Sequence, residues 1–164
     1  MKILVCISKV PDTTSKINFV DNNSKFDQNG VQYIVNPYDE WYALVRALEL
    51  VESNGGTVTT ITVGNSSDDP TIRKALAIGA NDAVRINANP TDSYFVAKQI
   101  ADYAANEDYD IIMTGKETID YNGSQIGSML SALLEMPFVS LAFVIMILAL
   151  ITFALLTSLT NAFT

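Results

Sequence analysis

Ile111-Ile112-Met113-Thr114-Gly115-Lys116-Glu117-Thr118-Ile119-Asp120-Tyr121-Asn122-Gly123-Ser124-Gln125 opens apolar, turns polar at Thr114, and leads into Ile126, Met129, Leu130, Leu133 and Leu134. The opening run has the length of a buried strand. The residues after it recur at i, i+3, i+4, i+7 and i+8, one face of a helix, which Pro137 ends. The polar stretch therefore sits at a strand-to-helix junction. In an open parallel α/β sheet, ligands gather at the carboxyl ends of strands, where the free N–H groups of the next helix attract anions.

The same unit recurs upstream. Lys2-Ile3-Leu4-Val5-Cys6-Ile7-Ser8 is an apolar run expected of a strand covered on both faces, and Lys9 interrupts it too soon for a secretory signal. Lys16–Phe19 and Val31–Val35 alternate more loosely around an Asn29-Gly30 turn signal, predicting a small hairpin between the first strand and first helix. Asn36-Pro37-Tyr38-Asp39 predicts a helix start, with Asn36 as N-cap and Pro37 at the first helical position. Trp41, Leu44, Val45, Leu48 and Val51 make its buried face, and Asn54-Gly55-Gly56 stops it.

Thr57–Val63 is a β-branched strand. Asp69-Pro70 then starts a second helix, with Ile72, Ala75 and Leu76 inward and Gly79 ending it, and Ala83–Ile86 is a short strand. Asn89-Pro90-Thr91-Asp92 opens a third helix carrying Val96, Ile100, Tyr103 and Ala104 on one face. Strands alternating with helices at these spacings predict an α/β fold, a parallel sheet with helices on both faces.

Composition narrows the chemistry. A formal charge of −8 without a basic cluster argues against nucleic acid. The absence of histidine and the single cysteine exclude serine–histidine, cysteine–histidine and zinc-hydrolase readings. The expected location is cytoplasmic.

Gly115-Lys116-Glu117-Thr118 is not a Walker A loop, because position 110 holds Asp110 where that motif requires glycine, and no G-x-G-x-x-G follows the first strand. On residue chemistry, Gly115 lets a ligand approach the backbone, Gly123 can adopt positive φ, and Ser124 or Gln125 can bond a phosphate at the helix start. The same residues also suit a ligand-free reading, in which Asp120, Asn122 and Ser124 cap the helix and Lys116 is solvated.

Three blocks then act together. Asn36-Pro37-Tyr38-Asp39-Glu40, Arg73-Lys74-Ala75-Leu76-Ala77-Ile78-Gly79-Ala80, and Thr114-Gly115-Lys116 through Ile119-Asp120 to Gln125-Ile126-Gly127 resemble, in order and spacing, the β-subunit of electron transfer flavoproteins. The resemblance runs from Met1 to about Ala142. It implies an adenine-nucleotide α-hydrolase-like, Rossmann-like domain that pairs with an α-subunit. FAD lies at the boundary of that heterodimer, mainly in the α-subunit. Electrons pass from acyl-CoA-type or other dehydrogenases to an acceptor. The β-subunit holds a structural AMP and has no acid–base catalysis of its own.

Carried over by motif, the nucleotide contacts fall at Cys6, at Asn36, Pro37, Tyr38 and Asp39, and at Val63 and Gly64. The remainder are Gly115, Lys116, Glu117, Thr118, Asp120, Asn122, Gly123, Ser124, Gln125 and Ile126. By its residue type Cys6 suits ordinary core, and Asn36 suits a helix cap. Electron-bifurcating members carry a second FAD in place of AMP and tend toward an acid-rich Asp-Gly-Asp-Thr type of sequence. This chain has Asp120-Tyr121-Asn122-Gly123-Ser124 there, so AMP is the expected occupant. The alternative is a stand-alone adenine-nucleotide-binding module without a redox role.

All 10 basic and 18 acidic residues lie at or before Glu135. The nucleotide-binding domain is accordingly placed at residues 1–140, truncated relative to the family, followed by an uncharged apolar tail at 141–164. Three readings of the tail stay open: sequence foreign to the family, a membrane anchor within residues 138–159 that approaches the ~20 apolar residues of a bilayer span, and a buried strand followed by a core helix.

Overall fold

The computed structural model describes residues 1–142. In chain order the strands and helices are β1 (Lys2–Cys6), β2 (Lys9–Pro11), β3 (Phe19–Val20), β4 (Lys25–Phe26), β5 (Tyr33–Val35), α1 (Asp39–Asn54), β6 (Thr57–Gly64), α2 (Asp69–Ile78), β7 (Asp82–Asn87), α3 (Ser93–Ala104), β8 (Ile111–Met113) and α4 (Ile126–Leu134). Four strands form a parallel sheet in the order β7-β6-β1-β8. The expected α/β class is therefore observed.

Alternation along β1 divides its side chains between two apolar layers. Ile3, Val5 and Ile7 pack with Leu44 and Ala47 of α1 and Ala75 of α2. Leu4 and Cys6 face the other way, against Ile61, Ala97, Ile100 and Ala101, with Leu130 of α4 in the same layer. Helices thus cover both faces, as a continuous apolar β1 requires.

The insertion between β1 and α1 differs from the expected single hairpin. Phe19–Val20 pairs with Lys25–Phe26, and the returning strand Tyr33–Val35 pairs with Lys9–Pro11 instead of Lys16–Phe19. Asp21, Asn22 and Asn23 all have positive φ and make the reversal. Asparagine and aspartate tolerate that region, so Asp21-Asn22-Asn23 was as strong a turn signal as Asn29-Gly30.

Two helix faces are also rotated from expectation. Trp41 is 39% exposed, and the buried side of α1 runs through Glu40, Leu44 and Ala47. Leu76 is likewise exposed, with Thr71 buried beside Ile72 and Ala75. Both stops hold: Gly55 follows α1 at φ 76 and Gly79 follows α2 at φ 138. In α4 the chain turns at Glu135, φ 53, two residues before Pro137.

No helix among the described residues is long and apolar enough to cross a membrane. Most of the apolar segment 138–159 lies outside the described residues.

Candidate functional site

The strand order locates the crevice. From β1 the chain crosses to β6, continues outward to β7, and returns through α3 to β8 on the opposite side of β1. The loops after β1 and β8 therefore diverge at a topological switch point, the usual ligand position in an open α/β sheet. Residues 36–39 and 114–125 meet there.

Asn36 is fully buried. Its Nδ2 donates to the Glu117 carbonyl at 3.0 Å, and its Oδ1 accepts from the Ile119 N–H at 3.0 Å. Asp39 Oδ2 accepts from the Glu117 N–H, also at 3.0 Å. Asn36 is thus not the expected side-chain cap: α1 begins at Asp39 with Tyr38 as N-cap and no capping side-chain bond. Tyr38 has φ 65, an uncommon conformation for a bulky residue.

Gly115 is needed for close approach to α1. A Cβ there would lie 2.7 Å from Glu40 Cγ and 3.2 Å from the Glu40 backbone nitrogen. Gly127 performs the equivalent task at α4, where a Cβ would meet Thr114 Oγ1 at 2.8 Å and the Phe138 ring at 3.0 Å. The first turn of α4 is thereby seated beside the end of β8.

Between the two loops lies a small cleft of about 110 Å³. Pro37, Tyr38 and Asp39 form one wall, and Glu117, Thr118, Ile119 and Asn122 the other. Six of these seven were among the expected contacts. Ile119 was not, although it falls within the third sequence block.

The remaining expected residues sit around the cleft or behind it. Lys116 and Asp120 are exposed on the loop, and Lys116 Nζ lies 3.3 Å from Glu117 Oε2. Ser124 donates to the same oxygen at 2.9 Å. These contacts, that of Ser124 first, hold the Glu117 carboxyl below its usual range.

Gln125 occupies the N-cap of α4 without a capping side-chain bond, and Ile126 begins the helix, so its first-turn N–H groups have no intrahelical acceptors. None of Asp120, Asn122 and Ser124 is its cap. The anticipated positive φ at Gly123 instead occurs at Asn122 and Ser124 on either side, at 49° and 53°. Gly123 is therefore not the residue that bends the loop.

Cys6 and Val63 do not line the cleft: both side chains belong to the apolar layer of α3 and α4. Burial, then the Glu40 carboxylate, pushes the Cys6 thiol far above its ordinary range and makes it inert. Gly64 ends β6 against Asp68, which pairs with Lys9 at 2.5 Å.

Sequence reading missed Glu40 and Ser8. The Ser8 N–H and hydroxyl donate to the two Glu40 carboxylate oxygens at 2.6 and 2.8 Å, tying the end of β1 to α1. The signal was available: Glu40, Leu44 and Ala47 share helical spacing, and an acid on an apolar stripe requires a partner. Burial dominates over those hydrogen bonds and pushes the Glu40 carboxyl up to about 7, with Asp120 and Asp39 adding repulsion.

Between pH 4.5 and 7 the native chain consequently keeps a proton that the unfolded chain has released, so stability falls as pH rises through that window. Glu40→Gln should flatten this slope and raise stability at pH 8 by on the order of 2 kcal/mol, measured by urea unfolding across pH.

A parallel α/β sheet with its crevice at the switch point, built by two sequence-distant loops, defines an open, doubly wound class of α/β domain. The electron transfer flavoprotein domain matches residues 24–153, and the chain belongs to that family. It is 35% identical over 141 residues to the electron transfer flavoprotein subunit beta of Bacillus subtilis, covering 84% of this chain and 54% of that one. The mitochondrial subunit beta of Oryza sativa is 36% identical over 143 residues, with 84% and 56% covered. The acryloyl-CoA reductase electron transfer subunit gamma of Anaerotignum propionicum is 31% identical over 143 residues, with 84% and 53% covered. The chain spans about half the length of these curated relatives.

Proposed function

We propose that this chain supplies the nucleotide-binding part of an electron transfer flavoprotein β-subunit in the cytoplasm. It pairs with an FAD-bearing α-subunit, and the heterodimer carries electrons from dehydrogenases, acyl-CoA-type among them, to an acceptor. The FAD supplies the redox chemistry. This chain holds AMP as a structural ligand.

The observation that carries the reading is the meeting of residues 37–39 with residues 117–119 and Asn122 in one cleft at the sheet's switch point. The donor set suits an adenine nucleotide. Pro37, Tyr38 and Ile119 offer apolar surface to a flat base, and Thr118 and Asn122 offer polar edges. The first-turn N–H groups of α4 would receive phosphate, which nearby Asp39, Glu117 and Asp120 would otherwise repel. A volume of about 110 Å³ suits the base-sized portion of such a ligand, leaving the rest along the open crevice.

The test is co-expression of the full chain with an α-subunit, followed by mass spectrometry of the released nucleotides. A yellow heterodimer with one FAD and one AMP is expected. Stoichiometric FAD released from this chain itself would overturn the assignment of AMP. A colourless chain that binds AMP but no α-subunit would instead identify a stand-alone nucleotide module.

A further inference from the structure

We infer that Asn36 is a positioning residue, whose buried amide presets the Glu117–Ile119 wall of the cleft before a ligand arrives and does not itself touch that ligand. The inference rests on the proposed nucleotide site and changes the role that the resemblance gives this residue. Asn36 has no exposed surface, and both heteroatoms of its amide are spent on the loop, one on the Glu117 carbonyl and one on the Ile119 N–H. The second N–H and the second lone pair of the amide lie below the surface, and Asn36 does not line the cleft.

The loop depends on this hold. Residues 114–125 contain no helix or strand, so their backbone groups need partners from elsewhere. Asn36 acts as a one-residue substitute for a neighbouring strand, donating to one peptide group and accepting from another two residues on. Asp39 adds the bond to the Glu117 N–H, and Pro37 and Tyr38 between them form the facing wall. One short segment thus supplies one side of the cleft and fixes the other. Its geometry is set in the free protein, which lowers the ordering cost of binding.

Removing the amide lets the wall sample open forms. The apparent dissociation constant then rises by the inverse of the competent fraction, equally for every ligand that needs the closed wall. Two variants separate this role from simple destabilisation. Asn36→Ala deletes both bonds, whereas Asn36→Ser stays uncharged and keeps one short hydroxyl that can serve at most one of the two loop groups.

The experiment is amide hydrogen exchange on the full chain without ligand, paired with calorimetric titration of AMP and adenosine. In Asn36→Ala, exchange at Glu117 and Ile119 should accelerate at least tenfold while β1 and β6 remain protected, and AMP and adenosine should both weaken by a common factor of roughly ten. Saturating AMP should restore the lost protection. Asn36→Ser should lie between wild type and Asn36→Ala, and it keeps the test valid if the alanine variant does not fold.

Unchanged exchange at residues 117–119 in a folded variant would overturn the inference. So would weakening of AMP with adenosine unaffected, because that pattern marks a direct contact with the phosphate. If neither ligand bound the wild-type chain, the nucleotide reading would fall, and the exchange measurement would still decide whether Asn36 holds the wall.

Discussion

Leu4→Ala is expected to lower the free energy of unfolding by about 3–4 kcal/mol, seen as a fall in the urea midpoint with an unchanged denaturant slope. Leu4 is fully buried in the layer formed by Ile61, Ala97, Ile100, Ala101 and Ala104. Three of these neighbours are alanines, whose side chains cannot swing into a void. The strand itself is held by β6 on one side and β8 on the other, in registers Leu4–Thr59 and Leu4–Ile112. The cavity therefore stays open, and the cost falls in the upper part of the range for such truncations. Leu76→Ala is the matched control: with that side chain 39% exposed on α2, the loss should stay below about 1 kcal/mol.

Gly64→Ala should cost about 2–4 kcal/mol by a different route. Its Cβ would lie 1.8 Å from Asp68 Oδ2 and 2.9 Å from Asp68 Cγ. A carboxylate at the end of a side chain could normally step aside, but this one is held. Lys9 Nζ lies 2.5 Å from Asp68 Oδ1, donates to Ser67 Oγ at 2.7 Å, and sits 4.7 Å over the Tyr33 ring. Moving Asp68 breaks the Lys9 ion pair in a half-buried place where water replaces it poorly. If this is the cause, adding Asp68→Ala should make Gly64→Ala nearly neutral, and a double-mutant cycle should return a coupling above 1 kcal/mol. Additive losses would assign the cost to the backbone instead.

Much of the architecture was legible because periodicity encodes it. β1 and β6 read as buried strands, and Asp92 caps α3 through the Phe95 N–H as the Asn89–Asp92 signal implied. The misreadings share a physical cause. Trp41 and Leu76 were assigned inward by apolarity, but the orientation of a helix follows its whole stripe, and the stripe of α1 includes the acid Glu40. The hairpin pairing failed because very short strands have little pattern of their own, and turn chemistry was present at two places.

At the site, sequence blocks identified both loops but not the division of labour within them. Asn36 reads as a cap by its residue type and as a ligand contact by resemblance. Only its two bonds to residues 81 and 83 positions away show it to be a tether. Likewise Gly115 was expected to admit a ligand, whereas the distance to Glu40 shows that it admits a helix.

The central position of β1 has a consequence for how the protein is made. Ile3 must align with Val58 on one flank and with Ile111 on the other. Among the strands of the described sheet, β1 comes first in sequence and gains its second neighbour last. Its Ile3–Ile7 stretch remains without one flank until nearly the whole described chain has been synthesised. Such long-range parallel pairing slows folding and prolongs the exposure of an apolar strand. Nascent chains arrested before residue 111 should consequently depend most on chaperones.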